Sequence, residues 1–521
     1  MKTQKIVVVG GGTAGWMAAA TLIASFPSKE IVVIESPDVP RIGVGESTLQ
    51  LLRGWMTLVG IKDEDFMPAC DATYKLSIKF TNFYKEDDSE GFHYPFGSPH
   101  FFKESQWGLN DWRLKKALYP DTPRNDFAKT YYPQMALIDN GKVDYNRFGK
   151  FGDFRIDKDT AYHFDAIQFA NWLRDSHCIP LGIKYIPATV TEVTTNEDGI
   201  EKLILDTGEE VTADVYIDCT GFKSLLLGQT LKEEFVSFSD QLPNNRAWAA
   251  RVPYTNKEDE MKPYTNCTAL DHGWVWNTPT WSRIGMGYVY SDKYVSKEDA
   301  LTEFKTHINS LGKDTSDLQF RDLQFRVGIH RRTWVKNCIA LGLSAGFLEP
   351  LESNGLLTIH EFSLRLVRLL GRDYITQYDR DIYNQNTFKY FSEFADFVSS
   401  HYLFSQRRNN QYWKDTANMS LNHGSMSEMG SRFMGHVSLH DDTNEYYDGT
   451  NFIQIGMGYD RITKSMLKEI EFYNDVDIKR FVDDIDARWE QMKNKLQEFA
   501  DECPSHYEFL KRHIHKDVPE N

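Results

Sequence analysis

Cysteine is scarce in this chain of 521 residues, with only Cys70, Cys178, Cys219, Cys267, Cys338 and Cys503. None forms a CxxC pair and together they are too sparse for a disulfide framework, so they read as reduced core thiols rather than a zinc, dithiol or disulfide site. Basic charge is also in short supply. With 59 Lys and Arg against 75 Asp and Glu, the net charge of −16 repels a nucleic-acid backbone and leaves a small molecule as the expected partner. No apolar run approaches the roughly 18 residues of a membrane-crossing helix. Met1-Lys2-Thr3-Gln4 passes directly into an apolar strand rather than a signal peptide, so the expectation is a cytoplasmic protein without a membrane partner. Internal repeats and low-complexity linkers are missing as well, and the length is compatible with roughly two to four folding units.

What is present begins at Gly10-Gly11-Gly12-Thr13-Ala14-Gly15, between the apolar run Ile6 to Val9 and an apolar stretch, Ala14 to Phe26, that reads as a helix. Ile31 to Ile34 then forms a second strand closed by Glu35, which stands where a carboxylate meets the hydroxyls of an adenosine ribose. Gly10, Gly12 and Gly15 allow the tight turn and close backbone approach to a pyrophosphate, and the free N–H groups opening the helix hold its charge. Glu35 rather than a basic pocket favours FAD or NAD over NADP. A return strand, Ala213 to Cys219, runs into Thr220-Gly221, and a hairpin from Thr189 to Val193 and Lys202 to Leu205 precedes it.

Three later segments carry residues that could do chemistry. In Ala72 to Thr81 the apolar Leu76, Ile78 and Phe80 alternate with Ser77, Lys79 and Thr81, and on periodicity alone Lys79 faces solvent from a strand. Gly273-Trp274-Val275-Trp276 spaces two tryptophans as on a strand. Ser353-Asn354-Gly355 precedes Leu356, Ile359, Phe362, Leu366 and Leu369 at helical steps, so it opens a helix whose unpaired N–H groups suit a small anion such as a halide. Taken alone, that last segment is better explained as an ordinary serine cap with Glu352 outside it.

Taken together, these segments resemble the flavin-dependent halogenases of the tryptophan-halogenase family over nearly the whole chain. The resemblance rests on the glycine turn, Ile42-Gly43-Val44-Gly45-Glu46-Ser47-Thr48, Ile78-Lys79-Phe80, Trp274-Val275-Trp276 and Phe347-Leu348-Glu349-Pro350-Leu351-Glu352-Ser353. Tyr162 to Ala166, His401-Tyr402, Arg407 and Trp413 extend it.

It implies an α/β fold: a Rossmann-like FAD-binding module of the glutathione-reductase and aromatic-hydroxylase type, residues 1–100 and 155–370, with a helix-rich substrate module, residues 101–154 and 371–521. It further implies that reduced FAD and oxygen convert chloride, bromide or iodide to hypohalous acid, which Lys79 receives and delivers to an aromatic or indole-type substrate by electrophilic substitution. Glu352 would orient the oxidant or take the ring proton. Asn354 and Gly355 would bind the halide, and Trp274 and Trp276 would keep substrate from the flavin. Thr13, Ala14, Gly45, Val190, Leu343 and Leu356 join Gly10, Gly12, Gly15 and Glu35 as the FAD site. A separate flavin reductase is implied by the single dinucleotide fingerprint; no metal is expected, and a homo-oligomer is compatible with the reading.

Two departures from the family pattern bear on selectivity. Asn354 stands where threonine is usual, which predicts an altered halide-size preference, and Thr278 where isoleucine is usual. Tyr446-Tyr447 matches a substrate-holding pair, but no lid tryptophan follows Phe452, and His93 and Phe96 match a stacking pair only with one extra residue of spacing. A larger or differently held indole, phenol or pyrrole is therefore expected rather than free tryptophan. A flavin monooxygenase and a catalytically silent flavin-binding scaffold are the alternatives, and neither gives Lys79 a use.

Overall fold

Alternation within the first strand sets up two layers of core. Ile6 and Val8 of Lys5–Val9 point into the large cluster shared with the helices, while Val7 and Val9 point into a second cluster with Val32, Ile34 and Tyr216. Burial on both faces is what a parallel sheet requires. The computed structural model describes residues 3–38, 45–105, 108, 110–372, 374–419, 449–458, 467–468, 471–472 and 477–516.

The parallel sheet has six strands in the order Trp334–Val335, Cys338–Ala340, Val215–Asp218, Lys5–Val9, Glu30–Glu35 and Lys184–Pro187, with Trp334–Val335 antiparallel to its neighbour. The expected β-α-β unit is present, with its helix at Thr13–Ser25, and so is the hairpin, at Val190–Asn196 and Gly199–Leu205.

A second sheet of seven strands was not legible as a unit in the sequence, because its strands come from distant parts of the chain. Its order is Arg321–Gln324, Arg246–Val252, Ile284–Tyr290, Gly273–Pro279, Tyr264–Ala269, Ser77–Thr81 and Phe92–Pro95. A small third sheet joins Gly45–Ser47, Ala161–Asp165 and Thr73–Lys75. The break between Thr73–Lys75 and Ser77–Thr81 falls at Leu76, whose N–H donates to Pro263 O at 2.7 Å and whose carbonyl accepts from Phe96 N–H at 2.9 Å, so that its backbone follows the seven-stranded sheet rather than the third. One apolar run is thereby divided between two sheets.

Helices cover these sheets. Asn354–Leu370 packs on Thr13–Ser25, and the 27-residue helix Gln377–Leu403 starts at a capping box made by Thr376 and Asp379. Ile478–Asp501 packs on the short helices Asn110–Leu118, Asp126–Tyr131 and Met135–Asp139. The C-terminal helix His506–His513 returns to the third sheet, where His506 Nε2 accepts from Tyr74 N–H at 3.2 Å and Nδ1–H donates to Met261 O at 3.1 Å.

All six cysteines are free thiols, five of them buried. Among the described residues no helix is long and apolar enough to cross a membrane, and no group of three His, Cys, Asp or Glu side chains could hold a metal ion.

Candidate active site

A cavity of about 640 Å³ runs from the carboxyl end of the parallel sheet to the start of the Asn354 helix. Gly10, Gly12, Thr13, Ala14, Glu35, Gly45, Val190, Leu343 and Leu356 all line it. The turn needs glycine at position 10, which has φ +116° and leaves only 2.2 Å between an added Cβ and Cys219 O. Gly15 does not line the cavity; it lets the helix pack on the Gly10 carbonyl, 1.8 Å from where its own Cβ would stand. Arg174 Nη1 lies 3.6 Å from Glu35 Oε2. A bare backbone turn at a helix start, a carboxylate at the end of the second strand and a long apolar trough beyond suit a flavin adenine dinucleotide.

The far end of the cavity is walled by the seven-stranded sheet. Trp276 lines it, with Trp274 fully buried one strand step away and the two ring centroids 6.3 Å apart. Trp276 lies over Gly287 on the next strand, where a Cβ would come within 2.1 Å of the indole. Trp274 Nε1–H donates to the buried Glu349 Oε2 at 3.4 Å.

Register decides which side chains share that wall. Trp276 pairs with Cys267, and Cys267 pairs with Phe80, so Phe80 is on the face of the tryptophans. Lys79 pairs with Asn266 and His93 on the opposite face. It is half-buried, with burial lowering its ammonium, and the charges around it are those of Asp139, Glu90, Lys129 and Asp88. The expectation that Lys79 stands with Glu352 is corrected: the intervening Leu76 break and the period of two turn it away.

The lysine beside Glu352 is Lys75. Its Nζ donates to Thr48 O at 2.8 Å and to Ser353 Oγ at 2.9 Å and lies 5.2 Å from the centroid of Phe96. Full burial lowers the ammonium to about 7, against the opposing influence of Cys267 and Glu352. Its signal in the sequence was only a second lysine in the same run.

The hydroxyls around Lys75 have a determined polarity. Thr73 Oγ1–H is used on Pro279 O, so Thr73 accepts from His163 Nδ1–H. His163 Nε2 then accepts from Thr265, Thr265 from Ser47, and Ser47 from Ser353. Every hydroxyl proton points away from Lys75, leaving a Ser353 lone pair for its N–H. Burial holds His163 well below the usual imidazole range, which keeps it neutral as the chain requires.

Ser353 stands between that cavity and the buried Lys75. It lines the flavin cavity, contacts Lys75 and has φ +56°, a left-handed conformation unusual for serine. Asn354 and Gly355 follow it on the cavity wall, and Asn354 Oδ1 is buried without a hydrogen-bond partner. Glu352 is 1 % exposed; Oε1 meets His401 Nε2 at 2.7 Å, while Oε2 has no partner. His401 Nδ1 faces only the carbonyls of Phe397 and Val398, so Nδ1 carries a proton and the contact to Glu352 holds either an imidazolium or a carboxylic acid.

The stacking pair expected at His93 and Phe96 is corrected in part. His93 is buried among Ser77, at 3.0 Å, and Tyr264, on the face away from the tryptophans. The neighbouring ring on the inner face is Tyr94, stacked on Phe452 with centroids 5.2 Å apart. Tyr446 and Tyr447 lie outside the described residues.

The family model described as Tryptophan halogenase matches residues 5–473. The chain belongs to the tryptophan halogenase family. The tryptophan 6-halogenase ThaL of Streptomyces albogriseolus is 32% identical over 435 residues, covering 81% of this chain and 80% of the relative. The tryptophan 7-halogenase RebH of Lentzea aerocolonigenes is 31% identical, covering 86% and 85%. Among solved structures, that of VirX1 superposes with a TM-score of 0.91 at 38% identity, covering 99% of this chain and all of the other. That of Xcc4156, a flavin-dependent halogenase from Xanthomonas campestris, gives 0.84 at 27% identity, with complete coverage of both. This member of the family is an FADH2-dependent halogenase that uses oxygen and a halide ion and acts on an aromatic substrate. FAD is its cofactor and the halide its co-substrate.

Proposed function

We propose that the halogenase works through Lys75 and Glu352 in a chamber separated from the flavin by Ser353 and the two tryptophans. The observation that carries this reading is the buried Lys75, bonded to Ser353 beside Glu352. Bound reduced FAD, with oxygen, supplies the oxidation of halide to hypohalous acid. Asn354 and Gly355 hold the halide at the helix start, where unpaired N–H groups attract an anion. Lys75 receives the hypohalous acid, either as an ammonium that polarises it or as a free amine that attacks halogen. Halogen then passes to a ring carbon as its bond to oxygen breaks, and hydroxide leaves as water with a proton from the Lys75 nitrogen. The ring proton passes to Glu352 Oε2, its return to that nitrogen closing the cycle. His401 holds Oε1 and fixes the carboxylate for that transfer.

The substrate is an electron-rich indole, phenol or pyrrole. Phe96 near Lys75 and the Tyr94–Phe452 stack supply apolar area for a ring. ThaL and RebH are tryptophan halogenases; a substrate larger or otherwise held than the free amino acid is favoured here by the missing lid tryptophan after Phe452. Reduced flavin is delivered by a separate reductase.

Purified protein given reduced FAD, oxygen, bromide and an indole panel, with products weighed by mass spectrometry, tests the reading. Bromination should fall at least ~100-fold in Lys75→Ala with FAD binding retained, a loss typical of a positioned catalytic group, and should persist within a few-fold in Lys79→Ala. Equal loss in both variants, or loss only in Lys79→Ala, overturns the assignment. Oxygen insertion without halogen would mark a monooxygenase instead. NADH without a reductase should yield no product.

A further inference from the structure

Glu46 belongs to a matched motif but has no part in the chemistry above. It lies on Gly45–Ser47, the short edge strand of the third sheet, and lines the flavin cavity together with Ser353, Asn354 and Gly355. A methyl group placed on Gly355 would stand 4.0 Å from Glu46 Oε2. The carboxyl group is therefore about one contact from the helix start assigned to the halide. An ionised carboxylate and a halide at that separation repel each other, the more so where protein walls lower the local dielectric.

The surroundings offer Glu46 little compensation. Asp165, on the paired strand, is the like charge that acts on it, and its own carboxylate is engaged by Arg283 at a short contact and by Arg251 at 3.8 Å. His163, on the same strand, is neutral. Thr278 and Gly285, from the seven-stranded sheet, are uncharged where they approach Gly45. The first turn of the Asn354 helix contains no acidic residue, and Glu352 before it is turned to His401. Lys75 is engaged by Thr48 and Ser353. Burial, with Asp165 adding to it, raises the Glu46 carboxyl to about 7.

We propose that Glu46 couples halide binding to proton uptake: its neutral carboxyl admits halide beside Gly355, and its ionised form excludes it. The inference rests on the halide reading given above and adds a second determinant to that site. Protonation by solvent precedes or accompanies halide entry, so the halide enters with a proton and the cavity's charge is unchanged.

Lys75 loses its own charge in the same range, so a pH profile of the parent alone is not diagnostic. A Gln substitution removes only the carboxyl contribution. Protein loaded with oxidised FAD is titrated with bromide near about pH 6 and about pH 8.5, following broadening of the bromide NMR signal. The parent should lose up to roughly tenfold in affinity per pH unit above neutrality. Glu46→Gln should match the parent at the lower pH and bind at least ~10-fold tighter at the higher one. Glu46→Ala should likewise exceed the parent at the higher pH. Equal affinities of parent and both variants at the higher pH overturn the coupling while leaving the halide site intact. Saturable binding that survives unchanged in Gly355→Val, or no saturable binding at all, overturns the halide site and this inference with it.

Discussion

Lys75 and Lys79 are chemically the same residue four positions apart, and only their surroundings separate them. Full burial next to Phe96 and Ser353 lowers one ammonium to about 7, whereas the other shares its sheet face with His93 and answers to Asp139 and Glu90. The cost of burying Lys75 has a sign that stability measurements can read. Its folded-state value lies below the unfolded one of about 10.4, so the penalty is full below about 7 and is relieved as pH rises toward 10. Lys75→Met is therefore expected to gain more, or lose less, stability near pH 6 than near pH 9, the difference amounting to about 2 kcal/mol by linkage. Urea midpoints of parent and variant at the two pH values measure it, and an equal shift at both would contradict burial as the cause.

Elements decide what faces what. In Gly273–Pro279 the period of two puts Trp274 and Trp276 on one face, and register with Ile284–Tyr290 sets Trp276 over Gly287. Gly287→Ala would set a methyl into that indole, an overpacking that costs about 1–3 kcal/mol and displaces the ring toward the flavin cavity. A lowered thermal midpoint together with weakened FAD binding is the expected outcome; parent-like values for both would show that the sheet can open at no cost. The strand patterns themselves were legible, including the tryptophan spacing and the start of the Asn354 helix. The interruption at Leu76 was not, because it depends on the Pro263 carbonyl, far away in the chain.

At the scale of the molecule, the last described helix holds the strand that carries Lys75. His506 accepts from Tyr74 N–H, and His515 donates to Ala72 O while stacking on Trp281 with centroids 4.2 Å apart. Burial lowers His506 to about 3 and His515 to about 4, and it holds His163 well below its usual range. Since the unfolded imidazoles protonate first, near about 6.5, stability should fall as pH drops through the window from there toward 4. Denaturant midpoints taken across that window should decline, and His506→Ala should flatten part of the decline while lowering stability by ~1–3 kcal/mol at neutral pH through the unsatisfied Tyr74 N–H. A midpoint unchanged by pH would mean that these histidines protonate within the fold.

Local rules were enough to read the dinucleotide turn, the carboxylate that ends the second strand, the hairpin before the return strand and the helix opening at Asn354. Each depends on residues within a few positions of one another, where sterics and hydrogen-bond geometry act directly on the sequence pattern. Motif order likewise carried the family. Which lysine meets Glu352, which aromatic ring replaces His93 and where Glu46 points depended on strand pairing between segments separated by hundreds of residues. Pairing register and the break at Leu76 are properties of the assembled sheets, so only the tertiary structure decided them.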